Sequence, residues 1–448
     1  MRKPSHAPWQ PPMNQESPAF RQRDLSTLFP HLDDASRHLV DRIPALVEEL
    51  FPLPRRFRAG LPYDVATLSS LLTFSRGERD SAYLRKAPLL SAYLRYFLPW
   101  NVYRLCRLLP ALPLALSDGD SIVDLGSGPL TLPLALWIAR PELRKQRLEL
   151  RCVDKTGTAL DAGKKLFDAL SGGNSTWTIR LIHASLGAEL RGPKAALVTA
   201  INVFNELFWD IAHGQPAALT AFAQRNAQLL TSLITETASV LVVEPGIPQS
   251  GAFIAALRAA LIERGRPPCA PCPHAERCSC SDDGVNHGKA KWCHFAFDTS
   301  DAPKPLLQLS DAAGIPKERA TMSFLLTGKP DNTPKGAKDQ PTTTFPLTGK
   351  PDNTPKGAKD QPATTFPLSG KQDNTPKGVI TRVISDAFPV GAPLYGRYAC
   401  SSQGLVLLTG SRTALEQRPS GALLCLDQPD ERVSLPRDPK SHALVFKI

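Results

Sequence analysis

The chain has 448 residues, of which 42% are hydrophobic and 21% charged, enough apolar material for two or three buried cores of ordinary domain size. That balance excludes a wholly disordered chain and a small disulfide-stapled scaffold. Fifty-three Lys and Arg against 42 Asp and Glu leave a net charge of +11, which favours polyanionic partners, nucleic acid first.

In chain order, residues 1–30 are rich in Pro, Gln and Ser and read as a disordered tail. They hold Arg2 and Lys3 but no apolar stretch of an export signal. Glu16, Asp24 and the prolines count against a mitochondrial presequence built on Arg21 and Arg23. The apolar run Leu108–Leu116 is broken by Pro110 and Pro113 and is far short of the roughly 20 residues of a membrane span. The expectation is a cytoplasmic protein without a membrane partner, where clustered cysteines indicate a metal or catalysis rather than disulfides.

Residues 31–116 read as a basic helical domain, with Leu39, Ile43, Leu46 and Leu50 at three- and four-residue steps. Within it, residues 51–110 carry ten Lys and Arg against three Asp and Glu, and aromatics interleave with charge from Tyr93 to Arg104. Two readings stay open: an RNA-facing aromatic surface, or aromatics forming the core of a helical cap beneath solvated arginines.

Residues 117–265 alternate β and α patterns. Strands are expected at Ser121–Leu125, Leu148–Asp154, Trp177–Ala184, Ala195–Val203 and Val240–Glu244, with helices over Leu132–Ile138, Thr158–Leu170 and Ala217–Thr231. This is the pattern of an α/β fold with a doubly wound, mostly parallel sheet. At the first strand-to-helix turn stands Asp124-Leu-Gly126-Ser-Gly128-Pro. Its glycines permit close backbone approach to a ligand, and the helix behind it offers free N–H groups. Asp154 ends the next strand, where a carboxylate can accept from ribose hydroxyls. Thr131 stands where a dinucleotide motif needs its third glycine, so an adenosyl ligand without pyrophosphate, S-adenosylmethionine (SAM), is favoured over NAD. Asn205 and Glu206 end a further strand as candidate ligand contacts or helix caps, and Val243-Glu-Pro-Gly246 closes another.

Residues 266–325 form a cysteine-rich segment. Cys269, Cys272, Cys278, Cys280 and Cys293 fall within 25 residues, a density best explained by a cation that neutralises several thiolates. Zinc would accept His274 or His294 beside them, an iron–sulfur cluster would take four thiolates, and spacing alone does not separate the two. Cys106, Cys152 and Cys425 sit in apolar surroundings as small buried hydrophobes. Residues 326–378 hold three copies of a 21-residue repeat opening on Leu326, Leu347 and Leu368, read as a disordered insertion because they carry too little apolar surface for a solenoid. Residues 379–448 are expected to contain a strand hairpin and a tail.

Asp-Leu-Gly-Ser-Gly-Pro, Val-Glu-Pro-Gly, Ala-Pro-Cys-Pro-His with a cysteine six residues on, and Trp-Cys-His-Phe occur here in this order. Together they resemble the methyltransferase-like small-ribosomal-subunit family, known from mitochondrial ribosomes and their assembly and with bacterial relatives. The resemblance runs from about residue 60 to 412 apart from the repeats. It implies a SAM-methyltransferase-like sheet, association with small-subunit rRNA, and a [4Fe–4S] cluster held by Cys272, Cys278, Cys293 and Cys400, the last from the C-terminal hairpin. It also implies cofactor contacts from Asp124, Gly126, Gly128, Asp154 and Asn205. Many relatives carry another glycine where this chain has Leu130, a side chain expected to crowd the methionine end of the cofactor. The function implied is an rRNA-binding ribosome-assembly factor. The alternatives are an active SAM-dependent RNA methyltransferase, for which no base is visible, and an iron–sulfur sensor of redox state or iron supply.

Overall fold

A computed structural model describes residues 22–73, 84, 86–208, 216–280, 292–328, 378–427 and 435–448. The repeat insertion lies outside these residues, except that Leu326 and Thr327 complete a strand and Gly328 follows it.

The N-terminal part runs β1 (Gln22–Ser26), α1 (Asp34–Leu50), α2 (Arg55–Arg58), α3 (Leu61–Thr73), α4 (Ala87–Ala92), a π-helical turn at Tyr93–Phe97 and α5 (Leu98–Leu108). Asp33 starts α1 by accepting the Ser36 N–H at 2.7 Å, and Val40, Ile43, Leu46 and Val47 make its buried stripe. The alternating part follows as β2 (Ser121–Leu125), α6 (Thr131–Ala139), β3 (Glu149–Asp154), α7 (Gly157–Ser171), β4 (Thr178–His183), β5 (Ala195–Ile201), α8 (Pro216–Ser232), β6 (Ile234–Glu244) and α9 (Pro248–Glu263). Then come β7 (Pro268–Ala270), β8 (Phe295–Asp298), α10 (Lys304–Ala312) and β9 (Arg319–Thr327). Beyond the insertion lie β10 (Val379–Val383), β11 (Phe388–Gly391), β12 (Leu394–Ser401), β13 (Gly404–Gly410), α11 (Arg412–Glu416), β14 (Leu423–Leu426) and β15 (Leu444–Lys447).

Two sheets result. The first has the order β4-β3-β2-β5-β6-β9-β7, with β8 also on β9. Strands β2 to β6 are parallel, while β9 runs antiparallel between β6 and β7. The chain steps from β2 outward to β4, then crosses back to β5 on the other side of β2. The ends of β2 and β5 therefore form the topological switch point where doubly wound sheets open a crevice. The second sheet has the order β1-β14-β10-β12-β13-β15, with β11 on β12. It is antiparallel except for β13–β15.

Three expectations need correction. The segment 22–30 is not tail: β1 pairs with β14, and Leu28 and Phe29 are buried in the main core, because Leu28, Phe29 and Leu32 supply enough apolar surface to repay ordering. The span 31–116 is not a separate helical domain. Its α1 and α5 share one continuous apolar cluster with α6, α7 and β3 of the sheet. The hairpin expected near the C-terminus exists as β12–β13, but inside a seven-stranded sheet with its own core of Val383, Ala399, Val406, Leu408, Leu424 and Phe446.

The aromatics between Tyr93 and Tyr103 belong to the core. Tyr96, Trp100 and Tyr103 are buried, and Trp100 meets Tyr103 edge to face with centroids 5.7 Å apart. The arginines among them are structural as well. Arg95 is buried and pairs with Glu48 at 2.7 Å, and Arg107 is fully buried against Asp301 at 2.7 Å. Among the described residues no helix is long and apolar enough to cross a membrane.

Candidate functional site

The turn after β2 is held from beneath. Asp124 is buried, accepting from Thr199 Oγ1 at 2.7 Å and from Ser127 Oγ at 2.5 Å. Burial raises its pKa to about 6, against the pull of the two hydroxyls. Asp124 thus fastens the loop to β5. Gly126 and Gly128 adopt φ of +64° and +52°. A Cβ on Gly126 would stand 2.4 Å from a Val203 methyl carbon. Asp154 at the end of β3 accepts the Gly128 N–H at 2.9 Å and the Thr156 N–H at 2.8 Å. One oxygen serves each bond, which leaves lone pairs on the half-exposed carboxylate.

Leu130 lies in the left-handed region at φ +57°, which explains why a glycine suits this position. Its side chain is fully buried in the main apolar cluster, so the cost of Leu130 is backbone strain rather than the expected crowding of the cofactor's methionine end. The loop also rests on α7, where a Cβ added at Gly163 would stand 2.3 Å from the Pro129 carbonyl carbon.

Asn205 is buried in the short 3₁₀ turn Phe204–Glu206. The turn is capped from a distance by Glu244, whose two carboxylate oxygens accept the N–H groups of Phe204 at 2.8 Å and Asn205 at 3.1 Å. Burial pushes the Glu244 carboxyl up to about 8, although the N–H donors pull it down. The Glu of Val-Glu-Pro-Gly is therefore the brace of the neighbouring strand end, a role that sequence reading missed. Opposite these strand ends, Tyr93 has its phenol pKa raised by burial and then by the carboxylates of Glu206 and Asp154. Asn101 accepts from Arg104, which also donates to the Thr321 carbonyl at 3.0 Å. The residues read as RNA-facing or core thus place Tyr93 and Arg104 on the wall above the crevice. The π-helical turn that carries Tyr93 was not visible in the residue pattern.

Next to the crevice, thiols from three segments converge. Cys272, Cys278 and Cys280 come from the loop after β7, Cys293 precedes β8, and Cys400 comes from β12. Burial raises the Cys293 pKa well above a free thiol, and Cys272, Cys278 and Cys400 raise it further. Burial, then Cys272 and Cys278, push Cys400 up to about 12. Cys280 is raised by its hydrogen bond with Cys278, by burial and by Cys293 and Cys400, so this cysteine, outside the ligand set that the resemblance implies, lies inside the same group. Cys269 is exposed on β7, its sulfur packed against Gly328.

Polar groups surround the sulfurs. Arg258 on α9 is buried and donates through Nε to Cys272 Sγ at 3.2 Å and through a terminal nitrogen to the His274 carbonyl at 2.7 Å. His274 Nε2 and Ser279 Oγ lie 3.2 and 3.3 Å from Cys400 Sγ. Burial and the Arg258 cation hold the His274 imidazole down to about 4, hence neutral. Arg382 on β10 crosses between the sheets, donating to Pro271 at 3.0 Å and Gly421 at 2.8 Å. His294 faces away, stacked on Trp292 with centroids 4.8 Å apart. Trp292 donates to the Gly246 carbonyl at 3.4 Å, which ties the Trp-Cys-His-Phe motif to Val-Glu-Pro-Gly.

The family described as mitochondrial small ribosomal subunit Rsm22 matches residues 91–337, more than half of the chain. The chain belongs to the Rsm22 family. No curated protein matches it. Solved structures similar to this Rsm22-family chain include a methyltransferase from Pyrococcus furiosus, with 7% identity over 48% of this chain and 78% of that one at a TM-score of 0.27. Two SAM-dependent methyltransferases solved with S-adenosyl-L-homocysteine, from Thiobacillus denitrificans and Geobacter sulfurreducens, share 11% and 12% identity. Each covers 52% of this chain and 91% of its own, with TM-scores of 0.29 and 0.28. Overlaps this loose add nothing to the strand order, which by itself makes the first sheet a methyltransferase-like doubly wound sheet.

Proposed function

We propose that this chain is a methyltransferase-like factor that binds small-subunit rRNA and carries a four-thiolate iron–sulfur centre formed by Cys272, Cys278, Cys293 and Cys400. The observation that carries the reading is the convergence of Cys400 from the second sheet on the cysteine loop of the first. Mutually repelling buried thiols are a donor set that a cation turns from liability into anchor. Around a single zinc, sulfurs about 2.3 Å from the ion stand about 3.8 Å apart. A cluster core takes four thiolates, the number proposed here, without recruiting His274 or His294. A four-thiolate cluster carries a net charge of about −2, which Arg258 and Arg382 would balance. When bound, the centre would lock the two sheets together.

Anaerobic purification with metal and sulfide analysis tests the centre. The expected yield is about four iron and four sulfide per chain, and a colourless protein with one zinc and no sulfide overturns it. Co-sedimentation with small ribosomal subunits across a salt series tests the partner, since phosphate contacts weaken steeply as salt rises.

The crevice at β2 and β5 is proposed to take SAM, with Asp154 accepting from the ribose and the Gly126–Gly128 backbone approached closely. Isothermal titration with S-adenosylhomocysteine should give saturable binding. Gly163→Ala must displace the Pro129 backbone. Because the Gly126–Gly128 turn moves with Pro129, this variant should bind more weakly than the parent, and it should also be less stable by about 1–3 kcal/mol. Absence of heat in the parent protein removes both the cofactor and the reading as an active RNA methyltransferase.

A further inference from the structure

The aromatic run at 93–103 is buried, yet a second arginine–aromatic segment is not. Every residue from Pro54 to Gly60 is exposed, including all of α2. Phe57 is 51% and Tyr63 76% exposed, the two aromatics among the four large hydrophobic side chains exposed in the described residues. The Arg56 guanidinium stands over the Phe57 ring at 4.8 Å. Arg58 spends only its Nε, on the Leu53 carbonyl at 3.1 Å. Among the described residues none of Arg55, Arg56 and Arg58 pairs with a carboxylate, whereas Arg95, Arg107, Arg140 and Arg147 all do.

We propose that α2 and the start of α3 form a platform for single-stranded RNA, on which Phe57 and Tyr63 stack unpaired bases while Arg55, Arg56 and Arg58 hold phosphates. The proposal deepens the small-subunit rRNA reading and rests on it. Three cations without a carboxylate partner among the described residues, together with two exposed rings, match a strand that offers negative phosphates and aromatic faces together, which neither a duplex nor an acidic peptide does. An exposed aromatic is a standing cost in water that base stacking repays.

The test uses the full chain. Fluorescence anisotropy with a mixed-sequence 12-nucleotide RNA, single-stranded or annealed to its complement, is compared for the parent, F57A/Y63A and R55Q/R56Q/R58Q. All substitutions lie at exposed positions, and circular dichroism verifies folding. F57A/Y63A should weaken single-strand binding about 5- to 140-fold for each base stacked and leave duplex binding unchanged. The triple arginine variant should flatten the log–log salt slope by about 2. Equal loss on both RNAs in F57A/Y63A overturns stacking, and unchanged binding by both variants overturns the surface. Binding of the parent's Phe57–Tyr63 face to anionic vesicles in place of RNA overturns it as well. The same variants are sedimented with small subunits. If they bind as the parent does, the platform falls while the ribosomal reading stands. If the parent fails to sediment, that reading falls whatever the oligonucleotide shows.

Discussion

Cys400→Ser is expected to purify with less than about a tenth of the parent's iron, and with its second sheet loosened from the first. A serine hydroxyl is a poor ligand for a soft iron centre. Losing one of four thiolates from a cluster therefore releases the whole group rather than a quarter of it. Cys400 is also the one proposed ligand from β12, and the proposed centre would link a sheet folded from β1 and residues 379–448 to a loop more than 100 residues upstream of Cys400. Structural metal sites contribute on the order of 10 kcal/mol to the folds they close. Even a third of that, about 3–4 kcal/mol, would speed hydrogen exchange of the β12–β13 amides by roughly 100- to 1,000-fold. Exchange mass spectrometry reads this directly. Cys280→Ser is the control. It removes a thiol of the same buried group that is not a proposed ligand, and it should keep the parent's iron. If Cys280→Ser loses its iron and Cys400→Ser keeps it, the ligand set is wrong. If both keep it, Cys400 is not a required ligand and the link between the sheets falls.

The parts of the molecule legible in its residues are those with a strong local signal. Parallel strands buried on both faces must be nearly continuous apolar runs, so β2, β3 and β5 stand out within a residue or two of their bounds. The glycine turn and Asp154 follow from them, because a crevice at a switch point needs close backbone approach and an acceptor. Elements defined by pairing rather than by composition were hidden. Strand β7 has three residues beginning with a proline, and β1 is the polar Gln-Arg-Asp-Leu-Ser, held only by its partner β14. Long-range polar duties were hidden as well. Nothing local marks Glu244 as the cap of a turn 40 residues upstream, or Thr199 as the anchor of Asp124. The cysteine group was visible as a cluster, but its completion by Cys400 came only through family resemblance, and Cys280 could not be placed until the loop was folded. Arginines mislead most. Arg95 and Arg107 look like surface charge in a basic helix, yet both are buried, while the exposed cations lie earlier, at Arg55–Arg58.

Arg107→Met should destabilise the protein by about 3–5 kcal/mol, the usual result of stranding one member of a buried ion pair. Arg107 Nη1 meets Asp301 Oδ1 at 2.7 Å and the Tyr103 hydroxyl at 2.9 Å. Its remaining nitrogens donate to the Pro30 and Phe29 carbonyls at 2.6 and 3.0 Å, and the Phe297 ring lies beneath it at 4.9 Å. One side chain on α5 thereby binds the N-terminal segment and the loop after β8 to the helix that also carries Asn101 and Arg104. Removing it strips Asp301 of its buried cation, leaving the Tyr103 hydroxyl, the Leu32 N–H and His31 as its partners, and leaves two carbonyls without donors. Asp301→Asn should cost less, because the amide oxygen still accepts from Arg107. The double variant should fall well short of the sum of the singles, since both break one network. The pair also sets an acid limit. Burial alone would raise Asp301, but the Tyr103 hydroxyl, the Leu32 N–H and Arg107 outweigh it and hold its pKa below the ordinary 3.8. A lowered folded-state pKa means that its contribution is complete above 3.8 and is lost as pH falls through the lowered value. Urea titrations from pH 7 to 3 should therefore show the parent and Arg107→Met converging at the acid end. Parallel curves would mean that the network holds the Phe29–Leu32 segment by packing rather than by charge.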